Sequence, residues 1–190
     1  MFDIQAHDDT EPAPGDLEVL QRFLNLHEHL PEGPTVPPST EMIRTFLVQR
    51  GLLEERERFT RRDRETGLEL GDALRALILA NAGEPVADEH IEAIERVAER
   101  AELHPHFRYG DPVLVPGHEG VAGAYGQLVA IAFLARFEHT WEHLKLCADD
   151  DCRAVFYDRS KNHSGRWCSM ADCGNRAKVR AFRERQRAAR

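Results

Sequence analysis

The chain has 190 residues, 42% of them hydrophobic, and carries a formal net charge of −8 from 25 basic and 33 acidic side chains. That length suits one ordinary domain plus a small second one, and that composition suits a globular protein. The acidic, polar start argues against a secretory signal, and no stretch reads as a membrane span, so a cytoplasmic protein with reduced thiols is expected.

Charge is divided unevenly. Residues 152–190 hold 11 basic and 3 acidic side chains, net +8, against 14 and 30 in the rest, net −16. A basic end on an acidic body points to a nucleic acid or an acidic protein surface as partner.

In chain order, residues 1–15 carry Asp8, Asp9, Glu11 and two prolines and predict a flexible lead. Leu17, Leu20, Phe23, Leu24 and His27 repeat with helical spacing, which predicts a first helix over residues 16–29. Residues 31–38 (PEGPTVPP) form a loop, after which Ser39 or Thr40 caps a second helix with Met42, Ile43, Phe46 and Leu47, ending at Gly51. Residues 54–65 are densely charged. A long helix takes up part of them and runs through Leu70, Leu74, Leu77 and Ile78 to Gly83. Asp88 caps the next, with Ile91, Ile94, Val97 and Ala98 inward.

Phe107-Arg108-Tyr109 and Val113-Leu114-Val115, on either side of Gly110-Asp111-Pro112, predict a small hairpin. Residues 118–142 then predict the main buried helix, with Val121, Ala124, Leu128, Ile131, Ala132 and Ala135 inward. Gly120, Gly123 and Gly126 lower its intrinsic helicity, which suggests another backbone packed closely against it. This helix should feed directly into the next strand. His139 and His143 have the i, i+4 spacing of a shared helix face, and His104, His106 and His118 could converge near the hairpin. Neither set has a recognisable metal or catalytic pattern, and ordinary polar roles are expected of both.

All four cysteines lie in Cys147-x4-Cys152 and Cys168-x4-Cys173. Two short pairs separated by a dozen or more residues place four thiolates where two turns can share a tetrahedral ion, the spacing of a structural Zn2+ site. Two disulfides, unligated thiols or thiolate-bound iron are the alternatives. Four cysteines fill the usual coordination shell of zinc, so the metal should fold this region rather than catalyse, and no enzyme activity is expected. Around the ligands, Leu144-Lys145-Leu146 enters the first turn, Ala154 to Tyr157 favours a strand, and residues 158–165 (DRSKNHSG) form a loop. Arg166-Trp167-Cys168 is the expected return strand, and a helix capped by Asn175 follows.

The segment RWCSMADCGNRAKVRAFRERQR resembles the CGNR zinc-finger family, whose tetrapeptide stands here as Cys173-Gly174-Asn175-Arg176, and FYDRS at residues 156–160 matches that family's hairpin. The resemblance covers about the last fifty residues. The preceding region is similar in layout to the helical domain that accompanies this finger in bacterial proteins proposed to be stress-related transcription regulators. The resemblance implies zinc binding, a treble-clef-like finger and a nucleic-acid role, with DNA preferred over RNA.

In the terminal helix Arg176, Arg180, Arg183, Arg187 and Arg190 fall within an arc of about 80° along about 21 Å. Lys178 and Arg185 extend the charge to one side, and Ala177, Val179, Ala181 and Phe182 are expected to pack on the finger. Such a helix can follow phosphates or enter a groove, where arginine also reads guanine.

The expected fold is thus mainly α with small β, divided into a lead (1–15), a helical domain (16–143) and a zinc finger (144–190). The function that fits best is a DNA-binding regulator whose helical domain binds a partner, a small ligand or a second copy. A protein-interaction module or an RNA-binding protein is the alternative.

Overall fold

The computed structural model describes residues 10–29, 35–107 and 113–188. Most of the expected lead, half of the Pro-rich loop, the Gly110-Asp111-Pro112 turn and Arg190 lie outside those residues. The architecture is mainly α, with six helices and three two-stranded antiparallel sheets among the described residues.

Helix α1 spans Leu17–Leu24, shorter than its periodicity suggests. Asn25 leaves the helical conformation and turns its amide onto a distant strand, so His27 and His29 are not helical. Strands β1 (Glu28–His29) and β2 (Thr35–Val36) pair across the Pro-rich loop. Helix α2 (Thr40–Gln49) is capped by Ser39, whose hydroxyl accepts from the Met42 N–H, and is followed by Gly51 at φ +69°. Helix α3 (Arg61–Ala80) opens with a capping box in which Thr60 and Asp63 satisfy each other's backbone N–H groups.

Helix α4 (Asp88–Arg100) begins without a side-chain cap: Asp88 is its first residue and Ala87 precedes it. There the carboxylate faces the positive end of the helix dipole instead. Ala93 and Val97 are its buried residues. Ile91, expected inside, is exposed, because α4 packs along α3 through a narrower stripe. Strand β3 is His104–His106, three residues earlier than expected, and pairs with β4 (Val113–Val115), leaving Phe107 exposed.

Helix α5 (Gly120–Phe137) is the centre of the core, with Ala124, Tyr125, Leu128, Ile131, Ala132 and Ala135 buried against α1, α3 and α4. By length and composition it could cross a membrane, contrary to the sequence expectation, but its inner face forms the core. A Cβ on Gly126 would sit 2.3 Å from the Cβ of Ala101 at the end of α4, the close approach that its glycines imply. The helix does not run straight into the finger. It ends at Phe137, turns through His139 at φ +58°, and reaches β5 (Leu144–Leu146) by a 3-10 turn at Trp141–His143. His139 and His143 therefore share no helix face: His139 bonds Glu142, while the His143 ring stacks on Tyr157.

Polar contacts join the helical part to the C-terminal part. Asn25 donates to the Val155 carbonyl (2.8 Å) and accepts from the Val155 N–H (2.7 Å), acting as a strand partner for β6 (Val155–Tyr157). Arg75 of α3 donates to the carbonyls of Leu24 and Arg153, and Asn81 donates to those of Trp141 and Leu144. Residues 10–15, read from sequence as part of the flexible lead, are held too. Gln21 accepts from the Ala13 N–H, and Arg159 reaches Glu11 and the Pro12 carbonyl.

Candidate metal centre and basic helix

The first cysteine pair sits in the turn of a hairpin. Strands β5 and β6 pair with Lys145 opposite Phe156, so the partner of β6 is β5, and Arg166-Trp167-Cys168 is not a strand. The turn explains this: the Cys147 N–H donates to the Ala154 carbonyl, and the N–H groups of Cys152 and Arg153 both donate to the Asp149 carbonyl. Arg153 takes a φ of +51° to complete it. Residues 158–165 are organised by the buried Asp158 carboxylate, which accepts from Lys145 Nζ (2.6 Å), Ser160 N (3.0 Å) and Gly165 N (2.8 Å). These contacts hold its carboxyl well below the usual carboxylate range despite the opposing cost of burial. The Arg166 carbonyl then accepts from the Ala148 N–H, which lays the second arm against the first.

The second cysteine pair ends in a π-helical turn, Met170–Gly174, capped by the Ser169 hydroxyl on the Asp172 N–H. Helix α6 (Asn175–Ala188) continues from it. Asn175 therefore does not cap: it is already helical, and Ser169 caps the turn that precedes it. Gly174 is buried, and a Cβ there would lie 3.0 Å from Met170 Sδ.

Two turns from different parts of the chain thus bring four sulfurs together, all within 4.8 Å of one another, with Cys168 Sγ 3.6 Å from both Cys152 and Cys173. A tetrahedral ion with metal–sulfur bonds of about 2.3 Å requires sulfurs about 3.8 Å apart, so the donor set fits a zinc shell of four thiolates. All four thiols are free. Two of them are costly to ionise: Cys168 is pushed up by its contact with Cys152 and then by burial, and burial pushes Cys173 up to about 12. A bound cation removes that cost.

Asp149, absent from the sequence-predicted set, links this cluster to α6. Its carboxylate is 1% exposed and accepts from Arg176 Nε (2.9 Å) and from Arg180 (2.5 Å), while Arg180 also meets Asp151 at 3.1 Å. The Arg180 hydrogen bond, seconded by Arg176, lowers the Asp149 pKa against the effect of burial. Arg176 also donates to Cys173 Sγ at 3.0 Å, so the last residue of the CGNR tetrapeptide clamps a ligand sulfur to the opposite turn. The run Cys-Ala-Asp-Asp-Asp-Cys was the available signal, since an acidic stretch between ligands faces the arginines at the start of the helix.

The arginine stripe is therefore divided. Arg176 and Arg180 are held by the first cysteine turn, whereas Lys178, Arg183, Arg185 and Arg187 are exposed and pair with no carboxylate among the described residues. Of the residues expected to pack on the finger, Ala177 and Ala181 are half-buried, whereas Val179 is 40% and Phe182 55% exposed, and α6 has no fully buried residue.

A family model described as "CGNR zinc finger" matches residues 143–186, and the ABATE model, described as "Putative stress-induced transcription regulator", matches residues 36–137. No curated protein matches the chain. With more than half of its length matched by the second model and the four-cysteine cluster inside the first, the chain belongs to the ABATE family and carries a CGNR zinc finger after its helical region.

Proposed function

We propose that this protein is a DNA-binding transcription regulator in which a structural Zn2+ on Cys147, Cys152, Cys168 and Cys173 presents α6 to the duplex. The observation that carries the reading is the exposed quartet Lys178, Arg183, Arg185 and Arg187 on a helix with no buried side chain. An amphipathic core helix would bury a face, and dipole complementation needs only a charge or two in the last turn. Both family descriptions support the reading. Four sulfurs leave the metal no open position, so its role is to fold the finger, and the proposal assigns no catalysis. A cytoplasmic location goes with reduced thiols.

A second reading has an observation of its own. Arg176 and Arg180 already grip Asp149 and Asp151, so the helix demonstrably suits carboxylates, and an acidic protein surface could take the outer cations as well. The two readings separate in one experiment: binding of zinc-loaded protein to duplex DNA, structured RNA and an acidic protein across a salt series, beside R183E/R187E. Four phosphate contacts give log K against log salt a slope near −3.6, taking about −0.9 per contact. Duplex binding with such a slope, lost in the variant with zinc retained, is the expected result. Folded protein that binds neither nucleic acid overturns the proposal.

A further inference from the structure

Helix α6 has an inner and an outer side. Arg176 and Arg180 face the first cysteine turn, and Ala177 and Ala181 are its only half-buried positions among the described residues. At about 100° per residue these four span about 140° of the helix, which fixes the side turned toward the body. Opposite lie Phe182, Gln186 and Val179, together within about 60°. All three are exposed. On one flank of this strip stand Lys178 and Arg185, and on the other Arg183, each within about 60° of it, while Arg187 lies in line with Arg176 and Arg180, beyond the turn that holds them. The cations thus border an uncharged strip on both sides.

That pattern suits a groove with an anionic wall on each side. A helix lying in the major groove of B-form DNA meets a phosphate wall on either side and base edges in front, in a groove about 12 Å wide. A-form RNA closes its major groove to side chains, and a protein surface with an apolar centre and acidic rim, which such a strip also fits, is an outcome the test below separates. Phenylalanine contacts the thymine methyl group, and glutamine bonds adenine at N6 and N7. We propose that Phe182, Gln186 and Val179 form a base-reading face that enters the DNA major groove at A·T pairs, with Lys178 and Arg185 on one phosphate backbone and Arg183 on the other. This rests on the DNA-binding reading above and adds to it which side of the helix carries sequence preference.

The test uses the full zinc-loaded chain. Sites are selected from randomised duplex DNA with the unmodified protein, and the selected and random duplexes are then titrated with that protein and with F182A/Q186A. Both residues are exposed, and circular dichroism and zinc content of the variant should match those of the unmodified protein. The expected result is at least about a tenfold preference for an A·T-containing site, reduced to within about twofold in the variant, whose salt slope stays unchanged. Selection that survives in the variant, or duplex binding without any preference in the unmodified protein, overturns the base-reading face and leaves DNA binding standing. Absence of binding to every duplex by folded, zinc-loaded protein overturns both.

Discussion

Asn25, the residue that ends α1, and Val155, the first residue of β6, exchange two hydrogen bonds across 130 positions of sequence, 2.7 and 2.8 Å long. Both residues are buried. An asparagine side chain carries the same donor and acceptor as a peptide group, so it completes a strand edge that would otherwise face a helix with unmatched polar groups. Replacement by alanine strands the Val155 N–H and leaves its carbonyl only the longer hydrogen bond from Gln21 (3.4 Å). N25A should lower the stability of the whole chain by about 1–3 kcal/mol, seen as an earlier single transition in urea with zinc still bound. Unfolding at an unchanged midpoint would show that water takes over both groups.

Asp149 reaches the cysteine cluster through Arg176, which also donates to Cys173 Sγ. D149A should weaken zinc binding by about tenfold or more in a chelator competition, since residues that orient a ligand typically matter to that degree. D151A should change it little, because Asp151 meets Arg180 at an exposed position. Equal effects of the two substitutions would mean that only the net charge of the turn counts.

Direct loss of a ligand is a harsher test. C168S removes the sulfur lying 3.6 Å from two others and should release the metal, with the helical signal of α6 lost while α1 to α5 persist. Retained metal with unchanged circular dichroism would refute the four-sulfur shell.

Asp158 gives a pH dependence whose sign is fixed. Its carboxyl is held below the usual range, so its stabilising effect is complete above the unfolded value of about 3.9 and is lost as pH falls from there toward the native one. The stability difference between the protein and D158N should be constant between pH 5 and 8, at about 1–3 kcal/mol, and shrink below pH 4. Acid release of zinc is common to both and leaves the difference unaffected. A gap that widens in acid would contradict this account.

Two glycines predict opposite outcomes for the same substitution. G126A forces a methyl group to within 2.3 Å of Ala101 and should destabilise by about 1–3 kcal/mol. Gly71, inside α3, has open space at its Cβ, and G71A should stabilise by about 0.5–1 kcal/mol. Thermal melts of the two variants check both signs.

The sequence made the helices legible wherever one face is apolar and a capping residue stands out before it, as with Ser39 before α2, whereas the Thr60 cap of α3 was lost in a densely charged stretch. The cysteine pairs were equally plain, because ligand spacing is short-range. What it hid is long-range. Asn25 looks like one more position in a helical repeat until its amide finds Val155. The stripe looked uniform because helical periodicity places Arg176 and Arg187 alike, and only the fold brings Asp149 to the first of them. Residues 166–168 had strand composition, but the hairpin around the first cysteine turn had already supplied β6 with a partner.

With no side chain buried along its length, α6 is a rod gripped at one end. Its grip consists of the Cys173 turn and two guanidinium groups on one carboxylate, and about 21 Å of helix extends over its 14 residues. Leverage follows. A tilt of about 10° at the grip sweeps the far tip, about 12 Å beyond Arg180, sideways by about 2 Å, roughly a sixth of the width of a major groove. Small changes in the geometry around Asp149 are therefore magnified where Arg187 sits, and the angle at which the rod leaves its socket decides which surfaces it can meet.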